Sequence, residues 1–199
     1  MSKTEIEWDK ELNIDTVGRD DSMEDAYHYP YEPTPYCVLE RLCEEDWICD
    51  KDFVLDYGCG KGRVGFFLNK NIGCAVLGID FDETMCDAAQ KNLVKYVETA
   101  EKRIEFLCES AEKYVVKNET VFYFFNPFSV EVLQSVIGKI KKSYYENQRE
   151  MKLFFYYPSD EYVSYLMMVP ELMFVDEVDC WDLFEGKNER ERIMIFEMI

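Results

Sequence analysis

One histidine and no C-x-x-C pair in 199 residues leave little for a metal to hold, and no metal site is expected. The eight cysteines do not look like a disulfide framework. Cys37, Cys43 and Cys49 recur every six residues, a spacing that suits neither zinc nor a small cross-linked fold, so they read as reduced, mostly buried thiols. No apolar run reaches the roughly 18 residues a membrane helix needs, and the opening "MSKTEIEWDKEL" is too polar and acidic for a signal peptide. Positive charge is also scarce. Lys and Arg number 22 against 41 acids, a formal net charge of −19, and residues 1–50 hold 15 acids and 4 bases. Such a field repels polyanions, because affinity for nucleic acid depends on cations that neutralise phosphates. A nucleic-acid partner is therefore not expected. No repeat, low-complexity tract or Pro/Gly linker divides the chain. A soluble, cytoplasmic protein with no membrane contact and one main domain follows.

What is present is a core. Hydrophobic residues make up 48% of the chain, with 14 Phe and 14 Tyr, which excludes a disordered polypeptide despite the charge. After a polar leader (1–26), "YHYPYEPTPY" offers Thr34 as a helix cap and Pro35 in the first turn of a helix reaching about Asp46. Residues 1–33 are thus expected to form an acidic, aromatic leader and lid, and 34–199 the domain itself. Short apolar runs at 53–57, 75–80, 103–108, 120–125 and 152–158 alternate with helical segments, among them 82–99 (capped by Asp82 or Thr84), a short turn at 111–115, and 129–143. That alternation predicts a mostly parallel sheet covered on both faces. "MFVDEVDCWDLF" and "RERIMIFEMI", separated by "EGKNE", predict an antiparallel pair that closes it.

The first strand runs into "VLDYGCGKGR" (54–63). Glycines at 58, 60 and 62 permit unusual dihedrals and a close approach to the backbone. Arg63 stands where a dinucleotide fingerprint has its third glycine, and the G-K-[ST] ending of a phosphate loop is missing. A nucleotide without a pyrophosphate fits better. Asp80, 18 residues beyond Gly62 at the tip of the second strand, is placed to accept hydrogen bonds from ribose hydroxyls. Asp56 is placed to hold the loop backbone or a cationic ligand group.

"VLDYGCGKG" and "LGIDFDETMCDAAQKNL" resemble the first two motifs of the class I S-adenosylmethionine-dependent methyltransferases, and the resemblance spans roughly residues 34–199. It implies that family's Rossmann-like α/β sheet of seven strands, mostly parallel with a C-terminal antiparallel hairpin, and S-adenosyl-L-methionine as cofactor. It implies cofactor-binding roles for Asp56, Tyr57, Gly58, Cys59, Gly60 and Gly62, with Asp56 and the 58–60 loop at the methionine part. Asp80 would take the ribose, Phe81 the adenine face, and Glu109, Ser110 and Ala111 of "CESAEKY" the adenine edge.

Methyl transfer from a sulfonium asks mainly for alignment and exclusion of water. "FFNPFS" resembles the [DN]-P-P-[FYW] motif of amino-directed members but is one proline short. Asn126 would accept from an amino group and also border the cofactor. The Pro127 carbonyl would point inward, and Phe128 would pack on a planar acceptor. Tyr27, His28, Tyr29 and Tyr31 form a candidate lid or acceptor cage, with His28 either a general base or a surface histidine, and Tyr157 is a further candidate for the acceptor pocket. The expected activity is methylation of a small molecule or protein side chain by a monomer or homodimer. Methylation of a nucleic-acid base, and a non-catalytic cofactor-binding module, are the alternatives.

Overall fold

The computed structural model describes residues 3–18, 31–96, 103–186 and 188–199. Tyr27, His28 and Tyr29 lie outside them. Seven strands form one sheet: β1 (Phe53–Tyr57), β2 (Ala75–Asp80), β3 (Ile104–Cys108), β4 (Val121–Phe124), β5 (Lys152–Tyr156), β6 (Leu172–Asp179) and β7 (Arg192–Met198). Their order is β3-β2-β1-β4-β5-β7-β6, with β1 to β5 parallel and β7 antiparallel to both β5 and β6. This is the expected Rossmann-like sheet with its closing hairpin. Strand order reverses at β1, so the loops after β1 and β4 diverge and leave a crevice at their carboxyl ends.

Helices α1 (Glu5–Leu12), α2 (Tyr36–Glu44) and α3 (Arg63–Ile72) belong to one face. α4 (Glu83–Lys95) packs along β2 and β3. α5 (Val130–Glu146) and α6 (Asp160–Leu166) cover the other face. On that second face Tyr57, Phe124 and Phe155 sit side by side across β1, β4 and β5. Their rings stack with centroids 4.9 and 4.6 Å apart and planes within 8°. Because side chains alternate along a strand, Asp56 and its register partner Tyr123 point to the opposite face, toward α3.

The leader departs from expectation. Thr4 and Glu7 form a reciprocal capping box that starts α1, and Trp8 and Leu12 are buried. The T-x-x-E signal stands in "TEIE" and was overlooked among the acids. Thr34 does not cap α2, whose N-cap is Pro35 without a side-chain bond. Its hydroxyl instead shares a 3.2 Å hydrogen bond with the buried Tyr123 hydroxyl, which has no water to turn to. α2 ends at Glu44, two residues early, and residues 111–113 make turns rather than a helix. "SDEY" after β5 opens α6, with Ser159 accepting from the Tyr162 amide. A short 3-10 turn (Trp181–Leu183) precedes the hairpin loop.

Asp9 anchors the leader. Its carboxylate accepts from the Thr16 amide (2.5 Å) and hydroxyl (2.7 Å), the Val17 amide (3.1 Å) and the Tyr36 hydroxyl (2.6 Å). The Arg63 guanidinium lies 4.0 Å away. Removing a buried carboxylate that serves several donors strands all of them. Asp9→Ala is therefore expected to lower unfolding free energy by about 3 kcal/mol in urea titrations, whereas Glu11→Ala, on the exposed side of α1, should change it by less than about 0.5 kcal/mol.

Candidate active site

A cleft of about 800 Å³, counted with the open space at its mouth, lies at the carboxyl ends of β1, β2 and β4, between the glycine loop and the chain around Tyr31. A smaller recess of about 330 Å³ continues from it and is walled by Glu109, Ser110 and Ala111. Gly58, Asp80 and Phe81 border both. The expected ribose and adenine groups thus share a continuous surface with the glycine loop.

Asp80 joins the two loops at the centre of this surface. Its Oδ2 accepts from the Gly60 amide (2.9 Å) and its Oδ1 from the Asp82 amide (3.0 Å). Burial raises its pKa against these backbone bonds, which lower it. The neighbouring Asp56 has no such relief. It is 3% exposed, and its Oδ2 has no hydrogen-bond partner. Burial first, and the Asp80 charge second, push its pKa up to about 8. A buried, unpartnered carboxylate facing a cleft is a vacancy for a donor, and a cationic one answers both its charge and its lone pairs.

The glycines answer to the protein as well as to any ligand. Gly60 has φ 51°, and a Cβ there would meet the Tyr31 ring at 2.2 and 2.3 Å. An edge of the Tyr31 ring abuts the loop; its hydroxyl donates to the Thr16 carbonyl (2.8 Å), and burial pushes its phenol up. Gly58 is pressed in the same way by Pro127, whose Cβ lies 2.6 Å from the position a Cβ would take. Gly62 begins α3 under Phe106 and Phe66, away from both cavities.

Cys59 lines the main cleft beside Asp56, as does Pro127. Tyr57, Phe128, Asn126 and Tyr157 are placed elsewhere. The Tyr57 side chain points to the opposite face, where the strand's alternation buries it against Phe124. Phe128 is 4% exposed and packs edge-on against Tyr57 and Phe124, so its ring belongs to the core rather than to an acceptor platform. Asn126 holds a strained φ of 46°, and its Oδ1 accepts a long bond (3.4 Å) from the Ser159 amide at the start of α6. Tyr157, also at positive φ (51°), lies under the Arg190 guanidinium 4.3 Å away, and its hydroxyl accepts from Asn188.

The cleft also has walls that were not anticipated. Tyr123 and Phe125 follow from the period-2 alternation with Asp56 across β1 and β4, a signal the strand assignment already contained. Thr34, Asp82 and Met85 come from segments read as caps or helix. Arg63, noted only as the residue replacing a glycine, is 3% exposed. It donates to the Thr16 hydroxyl (2.7 Å), the Thr34 carbonyl (3.1 Å) and Glu5. Among the described residues, no group of three or more His, Cys, Asp and Glu side chains is arranged to hold a metal, and no helix is long and apolar enough to cross a membrane.

This sheet order, with the glycine loop after β1 and the acid at the tip of β2, is the Rossmann-like α/β methyltransferase fold. Comparison with known proteins agrees. Residues 54–143 match the methyltransferase domain family. Over 69 residues, 34% of this chain, it is 32% identical to a protein-lysine N-methyltransferase of Saccharolobus islandicus. That match spans 43% of the relative's length. Among solved structures it resembles the Pyrococcus abyssi tRNA (uracil-54, C5)-methyltransferase in complex with S-adenosyl-L-homocysteine (TM-score 0.60, 16% identity, 85% of this chain and 40% of that one). It also resembles the ribosomal protein L11 methylase of Lactobacillus delbrueckii (TM-score 0.56, 15% identity, 81% and 76%). Residues 54–143 thus carry a methyltransferase-domain match on the fold of the S-adenosylmethionine-dependent methyltransferases, and the cofactor these likenesses imply is S-adenosyl-L-methionine.

The contact between Gly60 and Tyr31 is testable apart from catalysis. Gly60→Ala should cost about 2 kcal/mol in chemical denaturation, from a left-handed φ and the clash together. In a Tyr31→Ala background only the backbone strain is left, and the cost should fall to about 1 kcal/mol. Equal costs in both backgrounds would mean that the ring does not rest on the loop.

Proposed function

We propose that this protein transfers the methyl group of S-adenosylmethionine to an amine, on a small molecule or a protein side chain. The observation that carries the reading is the charge of the cleft. Glu32, Asp80 and Asp82 line it together with Asp56, which ionises when a cation approaches; among the described residues the one cation lining it is Arg63, already bound to Thr16, Thr34 and Glu5. A surface of that sign suits a cationic donor and an acceptor that approaches as an ammonium or neutral amine, and it disfavours a polyanion. The net charge of −19 acts in the same direction, as does the name of the archaeal lysine methyltransferase that shares part of the sequence.

When bound, the cofactor supplies an electrophilic methyl on a sulfonium and its own leaving group. The chain's share is placement. Asp56 takes the ammonium of the methionine part, and the Gly58–Gly60 backbone lies along it. Asp80 keeps its two backbone bonds and offers its remaining lone pairs to the ribose hydroxyls. Phe81, 37% exposed, covers the adenine, whose edge faces Glu109, Ser110 and Ala111. Pro127 and Phe125 exclude water at the acceptor end, with Tyr31 as cover. Asn126, bonded to the Ser159 amide outside the cleft lining, is left out of this arrangement. The lid role of residues 1–33, and of His28 within them, belongs to the same proposal.

Calorimetry with S-adenosylhomocysteine tests the ribose assignment. Asp80→Ala should weaken binding at least tenfold, about 1.4 kcal/mol, and unchanged affinity would sink it. A labelled-methyl assay on lysine-containing peptides and small amines, with RNA as comparison, tests the acceptor; preference for RNA would overturn the amine reading.

Asp56 sets a pH dependence. Free, it keeps its proton up to about pH 8. A cation beside it favours the carboxylate, so binding releases that proton and strengthens as pH rises. Affinity for S-adenosylmethionine should climb by up to about tenfold per pH unit below pH 8 and level off above it. Asp56→Asn should bind more weakly with a flat profile; a flat profile in the unmodified protein would remove Asp56 from the site.

A further inference from the structure

Two cysteines flank the loop that carries Asp80 and Phe81, and nothing in the proposed reaction uses them. Cys108 is the last residue of β3 and exposed; Cys86 is in the first turn of α4 and buried. The register pairs Cys108 with Asp80. The Cys86 thiol donates to the Asp80 carbonyl at 3.4 Å and reaches the Leu107 carbonyl at 4.0 Å. The Cys108 thiol donates to the Phe81 carbonyl at 3.9 Å. Both thiols therefore converge on two consecutive carbonyls of one loop, and the Cys86 thiol lies 4.0 Å from the carbonyl of Leu107, the residue before Cys108.

We propose that Cys86 and Cys108 form a reversible disulfide that weakens cofactor binding, a redox-sensitive modification site at the edge of the adenine recess. The proposal rests on the cofactor assignment made above. The two thiols differ in a way that orders the chemistry. Burial pushes the Cys86 thiol up, so it is the poorer nucleophile, while Cys108 is open to solvent. As a thiolate, Cys108 attacks one sulfur of a low-molecular-weight disulfide such as oxidised glutathione and releases one glutathione thiolate. Cys86 then attacks the Cys108 sulfur of the mixed disulfide, loses its proton to solvent, and releases the second glutathione. Two thiols are oxidised and one disulfide is reduced to two thiols, so the electrons balance.

The consequence follows from the hydrogen bonds. Oxidation removes both S–H donors from the Asp80 and Phe81 carbonyls and draws α4 toward β3 to reach a bonding distance of about 2.05 Å. The loop that presents Asp80 to the ribose and Phe81 to the adenine shifts with them. The expected loss in affinity is roughly three- to tenfold, the scale of one hydrogen bond.

The full chain is equilibrated in glutathione buffers of graded redox ratio, quenched by alkylation and mapped by mass spectrometry. S-adenosylhomocysteine affinity is measured on the same samples. A peptide cross-linked between Cys86 and Cys108 is expected, together with weaker binding that reductant restores. Cys108→Ser should bind as the reduced protein does under every condition. No such cross-link while Cys108 alkylates freely would overturn the proposal, and so would a cross-linked protein that binds with unchanged affinity. If the reduced protein fails to bind S-adenosylhomocysteine, the cofactor assignment is what fails, because the cross-link is read by mass alone.

Discussion

The site hangs on one carboxylate. Asp80 takes the amide of Gly60 with one oxygen and the amide of Asp82 with the other, and so ties the loop after β1 to the loop after β2. In an α/β sheet those loops diverge from adjacent strand ends, and without a common anion their amides would face the cleft unpaired. Asp80 pairs them and still faces both cavities. The same act concentrates negative charge, and Asp56 next to it carries the cost: buried, without a partner for Oδ2, and holding its proton to about pH 8. A structure that keeps two neighbouring buried carboxylates is strained toward a cation.

A second junction closes the cleft from above. Asp9 gathers Thr16, Val17 and Tyr36, while Arg63 at the start of α3 joins Thr16, Thr34 and Glu5. Through Thr16 this network reaches Tyr31, whose ring rests on Gly60. The leader thus lies against the same glycine loop that Asp80 holds from below. Pro127 presses on Gly58 from the β4 side. The loop is bounded on three sides by protein, so the space left for a ligand is set by Tyr31, Asp80 and Pro127 rather than by the glycines alone.

Much of this was legible beforehand. β1, β2 and β5 fall where the apolar runs predict them, Asp82 caps α4, and the closing hairpin is antiparallel because no crossover helix separates its strands. Asp56, Gly58 and Asp80 line the cleft because a βαβ unit places strand ends and their loops together. The misses share a cause. Tyr57 came with the first motif and Phe128 with the likeness of "FFNPFS" to an acceptor motif, yet alternation turns Tyr57 to the far face and the turn at Asn126 sends Phe128 into the core. Thr34 was read by its local capping preference, which a buried partner, Tyr123, overrode. Asp9 gave no signal, because one acid among fifteen in the first fifty residues looks like a solvated charge.

By itself, the sequence determined the fold class, a mostly parallel sheet closed by an antiparallel pair. That depends on local periodicity and on short-range geometry between a strand, its turn and its helix. Only the tertiary structure decided that Tyr31 abuts Gly60, that Oδ2 of Asp56 is unpaired while both oxygens of Asp80 are taken, and that Cys86 and Cys108, distant in sequence, both reach carbonyls of the loop after β2. Those outcomes depend on which groups lose water together, and desolvation is a property of the packed chain that no stretch of residues carries alone.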